Sequence, residues 1–219
     1  MLAVLVVAVL AWWRMASHSQ PAASTPSNQP TAAVEKLPVF FATHTFDPAA
    51  PPADMPPLGA AETAECDANF ISNANVSGTS KRLDARQAVV TVTGARITLQ
   101  LEINIWVPQG ATQQVIEHEE GHRQISEYYY RSAQEVAEKV AAEYTGKQIS
   151  VSGSDLGAEI NAALQKIGAE ITAEYGERLN PNAAQQRYDD LTDHSRNDIS
   201  ASDAVARVLQ KNLANPTVE

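Results

Sequence analysis

The chain has 219 residues, with 26 Asp and Glu against 16 Lys and Arg, and a formal charge of −10 at pH 7. That balance argues against a nucleic-acid partner, because affinity for phosphates comes mainly from Lys and Arg, and no dense basic cluster offsets it. Apolar residues make up 44% and charged residues 19% of the chain, which excludes wholesale disorder and allows a packed core without disulfides.

Met1 to Trp13 is unbroken apolar sequence followed at once by Arg14. The run is shorter than the roughly 17–25 residues of a membrane span, and its length suits the hydrophobic part of a secretory signal. No Lys or Arg precedes it, and no convincing small-x-small cleavage site follows. Residues 1–16 are therefore read as a signal peptide or an N-terminal membrane anchor. The expected location is exported, periplasmic or otherwise extracytoplasmic.

Residues 17–58 read as a Pro/Ala-rich linker. Nine of the twelve prolines precede Leu58, and proline removes amide donors while Ala and Ser bury little surface. Within the linker, Pro38 to His44 is apolar enough to dock on the domain as an edge element. His18 and His44 fall in this region and are read as incidental. Residues 59–215 then hold the domain itself. Cys66 stands alone, so no intrachain disulfide forms, and it reads as a free or buried thiol.

Ala88 to Thr93 is a short β-branched run, and Gly94-Ala95 offers a turn. From Arg96 to Val107 the alternation is clean: Ile97, Leu99, Leu101, Ile103, Ile105 and Val107 point one way. Thr98, Gln100, Glu102, Asn104 and Trp106 point the other. Period two over this length predicts a half-buried strand, and the two runs read as a hairpin.

The remainder reads as helical. One long helix is expected from Thr112 to Tyr144, stopping at Gly146, and a second from Asp155 to Leu179, weakened at Gly157, Gly168 and Gly176. Asn180-Pro181 has the form of a cap followed by proline in the first turn, so a third helix is expected to start there and carry Tyr188 to His194. A last helix is expected from Ser202 to Leu213. The expected fold class is α+β: a small antiparallel sheet or hairpin followed by a mainly helical region.

The chemistry is concentrated in His118-Glu119-Glu120-Gly121-His122. Residues four apart on a helix share a face, so both imidazoles can reach one ion. Glu119 stands about 60° around the helix from His122. It can approach the edge of a site without being a ligand, where a general base must stand. Gly121 is costly in a helix interior, which implies that something packs close against this turn. A zinc site wants a third protein ligand. His194 leads, with Asp190 and Asp193 as rivals that could instead orient a histidine. Glu127 and Glu135 are weaker candidates. Tyr188 is read either as a donor to the oxyanion of a reacting carbonyl or as a packing tyrosine. Tyr128-Tyr129-Tyr130 is read either as an interaction surface or as core and rim of one helix.

His-Glu-x-Gly-His after a strand, then a long helix, then Tyr-Asp-x-x-Thr-x-His, resembles the bacterial DUF922 family. The matching positions are His118, Glu119, Gly121, His122, Tyr188, Asp189, Thr192 and His194, within a span from Val89 to Asn197. The family's last histidine is usually followed by glycine, where this chain has Ser195. The resemblance implies an exported zinc-dependent protease. The expected function is a zinc metallopeptidase acting on a peptide or protein. His118, His122 and His194 would be its ligands, Glu119 its base, and the polar face of the strand Arg96 to Val107 would lie near the peptide. The alternative is an exported zinc-binding or structural protein of the cell envelope without hydrolytic activity.

Overall fold

The computed structural model describes residues 31–59 and 62–214. The expected N-terminal signal or anchor, and the first part of the expected linker, lie outside them. Among the described residues no helix is long and apolar enough to cross a membrane.

The central element is β4 (Gln87–Pro108), a single strand of 22 residues. Its inward residues Ile97, Leu99, Leu101 and Ile103 are at most 1% exposed, and burying each contributes about 1.5–3 kcal/mol. The expected turn at Gly94-Ala95 does not occur. The buried positions run Ala88, Val90, Val92 before it and Ala95, Ile97, Leu99 after it. The alternation therefore changes phase without the chain reversing. The pairing accounts for this: Ser77 faces Gly94 and Gly78 faces Val92, so Thr93 bulges out of the ladder. An extra residue re-phases a strand by one, and Thr93 is that residue here.

The hairpin partner of β4 is instead β3 (Glu65–Arg82), antiparallel along nearly the whole strand. Its inward positions include small or polar side chains such as Ala68, Ser72 and Ala74, so its periodicity is faint. Along the other edge of β4 lie three short strands. β1 (Thr31–Lys36) and β2 (Phe40–Phe46) run parallel to it, and β5 (Gln148–Ser152) runs antiparallel. The docking expected of Pro38 to His44 is realised as β2. Within the expected linker, β1 as well as β2 belongs to the five-stranded sheet, while residues 48–58 form no strand.

Five helices complete the described residues: α1 (Gln113–Arg131), α2 (Ala133–Tyr144), α3 (Leu156–Arg178), α4 (Asn182–Thr192) and α5 (Ala201–Ala214). The single long helix expected over 112–144 is broken at Ser132. There the amide and the hydroxyl both turn back on the Tyr129 carbonyl, at 3.2 and 3.0 Å, taking the chain out of α register. Tyr130 fixes α1 on the sheet, because its hydroxyl donates to the carbonyls of Leu37 and Leu99 at 2.9 and 3.0 Å. Tyr130 thus belongs to the core, and Tyr129 packs beside a second small core formed by Ile125, Tyr188 and α5. α4 starts after Asn180-Pro181 as expected, and Asn180 Oδ1 accepts from the Asn182 amide at 2.8 Å, but the helix ends at Thr192, short of the expected His194.

Gly168 lets α3 lie on the sheet. A Cβ there would stand 2.5 Å from the carbonyl oxygen of Ala74 on β3. Gly168→Ala gains about 1 kcal/mol of helix propensity but must push α3 off rigid backbone. We expect it to lower stability by about 1–3 kcal/mol net, measured by urea unfolding. A stabilised variant would mean that the helix does not contact β3 there.

Candidate metal centre

α1 buries His118, Glu119 and Gly121 on one face. Opposite them lies α4, whose buried stripe is Ala184, Tyr188 and Thr192. The two helices meet at Gly121: a Cβ on that residue would fall 2.0 Å from the Tyr188 hydroxyl oxygen. This is the close approach that a glycine inside the motif implies. Tyr188 is fully buried, donates to the His118 carbonyl at 3.1 Å, stacks on the His118 ring and meets the His122 ring edge-on. The oxyanion-donor expectation for Tyr188 therefore gives way to the packing one, since its hydroxyl is bonded to motif backbone.

Asp189 follows Tyr188 and turns into the space between the helices. Its Oδ1 lies 2.9 Å from His122 Nε2 and 3.5 Å from His118 Nε2, and the two Nε2 atoms are 3.2 Å apart. His118, His122 and Asp189 form a group that could hold a metal ion.

Two observations test that fit. Asp189 Oδ1, one of the three converging atoms, is buried without a hydrogen-bond partner. Buried polar atoms are rarely left so unless a ligand completes them. The tautomer of His122 also points the same way. The Gln185 side-chain nitrogen donates to the His122 carbonyl and to Ser126 Oγ, at 3.2 and 2.9 Å. That leaves Gln185 Oε1 as an acceptor, 2.8 Å from His122 Nδ1. Nδ1 must then carry the proton, and the lone pair of Nε2 faces the group, as a metal-bound histidine requires.

His194 does not enter the group. It stands at its border, with Nδ1 3.8 Å from Asp189 Oδ1 and 3.9 Å from Glu62 Oε1. In the group that could hold an ion, Asp189 stands where the sequence suggested His194, and the rivals stand outside it as well. Asp190 is exposed and accepts from Gln186 at 3.3 Å, while Asp193 is exposed and pairs with Arg196 at 2.8 Å. Glu127 pairs with Arg123, and Glu135 pairs with Lys139. His44 stacks on Trp106 and meets Asn104 at 2.9 Å, away from the group. His18 lies outside the described residues. Gln185 and Asp189 carried one available signal: they are four apart on the face beside the buried Tyr188 stripe, whereas Asp190 and Asp193 are turned outward.

The group opens on a cavity of about 240 Å³ lined by residues of β3, α1 and α4, including Glu65, Cys66, Phe70, Glu119 and Asp189. No residue of β4 lines it. The polar face of β4 expected near a peptide is occupied with its own contacts, such as Gln100 to Glu102 at 2.8 Å. A larger apolar cavity of about 740 Å³, walled by prolines 48–57, Phe46 and Val115, adjoins at Glu62.

Electrostatics separate the carboxylates. Burial pushes Glu119 up to about 8, opposed by His122 and reinforced by Glu65, Glu62 and Asp189. For Asp189, burial is outweighed by the neighbouring imidazoles of His118 and His122, which hold it well below the usual carboxylate range. Burial lowers His118. His122 is also buried, but Asp189, Glu119 and Gln185 raise it above its ordinary value. Burial, then the charge of Glu119 and Glu65, push the Cys66 thiol up well above its usual value. A protonated thiol is a poor ligand.

Comparison with protein-family models, with curated proteins and with solved structures found no match for the chain.

His122→Ala and Asp189→Asn should abolish stoichiometric binding of a divalent ion, measured by elemental analysis after dialysis. Asp190→Asn and Asp193→Asn should bind as the parent does. His194→Ala should keep the stoichiometry with affinity weakened about 10–100-fold, the effect of losing a group that supports a ligand. Binding should weaken as pH falls through the raised His122 value, since proton and ion compete for Nε2. Loss of the ion in Asp193→Asn, or its retention in Asp189→Asn, would refute the ligand set.

Gly121→Ala should destabilise the fold by about 1–3 kcal/mol and weaken ion binding, with Tyr188→Phe in the same chain restoring part of the loss. Thermal unfolding with and without the ion reads both. An unchanged Gly121→Ala protein would show that α4 does not press on the motif.

Proposed function

We propose that this protein is an exported zinc-dependent metallopeptidase of the zincin type, with His118, His122 and Asp189 as ligands and Glu119 as general base. One observation carries the reading. Glu119 is 4% exposed, has no hydrogen bond or ion pair among the described residues, and lines the same cavity as the three converging ligand atoms. A buried carboxylate without a partner is costly, and a base at a metal centre is a role that requires one.

The ligand atoms lie 2.9–3.5 Å apart. Two donors each about 2.0–2.1 Å from one zinc at the tetrahedral angle lie about 3.3 Å apart, which supports zinc. The resemblance of the motif to the DUF922 family and the apolar run before Arg14 point to the same activity and to export.

When bound, zinc supplies a Lewis acid for a carbonyl, lowers the pKa of water, and by its charge draws the Glu119 carboxyl back toward its ionised form. Glu119 takes a proton from the attacking water as its oxygen joins the scissile carbonyl carbon. It then gives that proton to the amine as the C–N bond breaks. Gln185 keeps His122 in the productive tautomer, and Tyr188 holds the first turn of the motif through the His118 carbonyl. β3 pairs only with β4 among the described residues. Its other edge, beginning at Glu65 in the cavity wall, offers an extended peptide free backbone groups.

Glu119→Gln should bind zinc at the parent stoichiometry and cleave an unfolded protein substrate at least about 100-fold more slowly. If zinc-loaded parent protein cleaves no member of a diverse peptide library, the peptidase reading fails and a non-catalytic zinc protein of the envelope takes its place.

A further inference from the structure

The proline run between β2 and β3 has no part in the hydrolysis described above. In sequence it reads as linker, but in the fold it is a wall. Five prolines between Pro48 and Pro57, with Met55 and Leu58, stand across from Phe46 and Val115 around the cavity of about 740 Å³. The wall is tied down along its length. The Gln109 amide donates to the Phe46 carbonyl at 2.8 Å, the Ala50 amide to the Asp47 carbonyl at 2.9 Å, and the Met55 amide to the Pro52 carbonyl at 3.2 Å. Each proline also fixes its own φ. The loop is therefore stiff enough to stand over a hollow instead of collapsing into it, and Leu58 is left 36% exposed. A preformed apolar hollow of roughly 300–1,000 Å³ is the ordinary form of a ligand site.

Its lining and its neighbour decide what it takes. Among the described residues that line it, Glu62 alone is charged, and none is Lys or Arg. A fatty acid or another anionic amphiphile would have to bring its charge in without a cation to meet it. Glu62 also lines the cavity of the metal group, and its Oε1 lies 3.9 Å from His194 Nδ1. The two spaces thus adjoin at one side chain. A molecule held at the metal group and extending past Glu62 enters the apolar space next. A peptide meets both conditions: its backbone is uncharged, and its side chains can be apolar at successive positions.

We infer that this hollow is a subsite for large apolar side chains, Leu, Met or Phe, of the peptide bound at the metal group. This rests on the peptidase reading for the kind of ligand. A space that takes a drug-sized molecule holds more than one side chain, so the preference extends over neighbouring apolar residues of the peptide.

Met55 gives a direct reading of occupancy. It lines the hollow, and the other two methionines, Met1 and Met15, lie outside the described residues. The test uses zinc-loaded Glu119→Gln protein, full chain, with isotope-labelled methionine methyl groups, and two peptides identical except for a central Phe replaced by Ala. The Phe peptide should shift the Met55 methyl resonance, assigned by its loss in Met55→Leu, and should bind about tenfold tighter or more. Thr63→Trp, at an exposed lining residue, and Leu58→Asp, made separately, should each remove most of that difference. Circular dichroism and zinc content confirm that each variant is folded. Equal binding of the two peptides, a Met55 methyl that does not move, or a difference that survives both substitutions overturns the subsite. Displacement of the Phe peptide by laurate overturns it too, because the hollow would then be a lipid site. Cleavage of the Phe and Ala peptides at equal rates by the parent protein would sink the subsite and leave the peptidase standing. A Met55 shift and a Phe preference without any cleavage by the parent would do the reverse.

Discussion

The site depends on one contact: α4 pressing Tyr188 against Gly121 of α1. A helix alone places His118 and His122 on a common face, but it cannot supply a third donor. That donor arrives only because α4 comes close enough for a side chain beside Tyr188 to reach both imidazoles. The contact is possible because position 121 has no Cβ, and it is fixed by the bond from Tyr188 to the His118 carbonyl. Glycine in the middle of a helix costs about 1 kcal/mol. Here the cost is offset by the burial of Tyr188 and Ile125 with α5 and by the assembly of the site.

The sheet supplies the rigid floor on which that contact is made. α1 follows β4 after a short turn, and Tyr130 bonds it back to the carbonyls of Leu37 and Leu99. The two ends of α1 are therefore anchored: one by the chain leaving β4, the other by a side chain on the strands. The motif lies between these anchors, so its orientation is inherited from the sheet and not from the helix itself. β3, paired along nearly all of β4, brings Glu65, Cys66 and Phe70 to the cavity wall.

Much of this was legible in the sequence, and what was not has physical reasons. The strand from Arg96 to Val107 was readable because one face is strongly apolar, and most helix ends after it because their caps are local signals, whereas the break at Ser132 carries no proline or glycine to mark it. β3 was hidden because small and polar residues, Ala68, Ser72 and Ala74, interrupt the apolar positions of its inward face. β1 was hidden because proline-rich flanks resemble linker, although its backbone bonds to β4. The two histidines and Glu119 were legible from spacing. Asp189 was not, since a ligand on a second helix is chosen by how that helix is rotated. Position 189 differs from 190 and 193 only in which side of α4 meets α1.

His194 shows where sequence pattern and tertiary geometry part. After Thr192 the chain passes through three successive left-handed residues, Asp193, His194 and Ser195, with φ of 46°, 49° and 66°. Each such residue other than glycine costs of order 1 kcal/mol. The turn persists because Arg196 and Asn197 bond back to the end of α4. Its effect is to bring a histidine ring back against Asp189, which a regular continuation of the helix would have carried onward. Where the resembling family places glycine after this histidine, the present chain holds Ser195 in the conformation that glycine adopts most freely. The backbone path is thus the one a glycine would favour, kept despite the serine. The strained turn thereby holds His194 beside Asp189, one of the three groups that converge between α1 and α4.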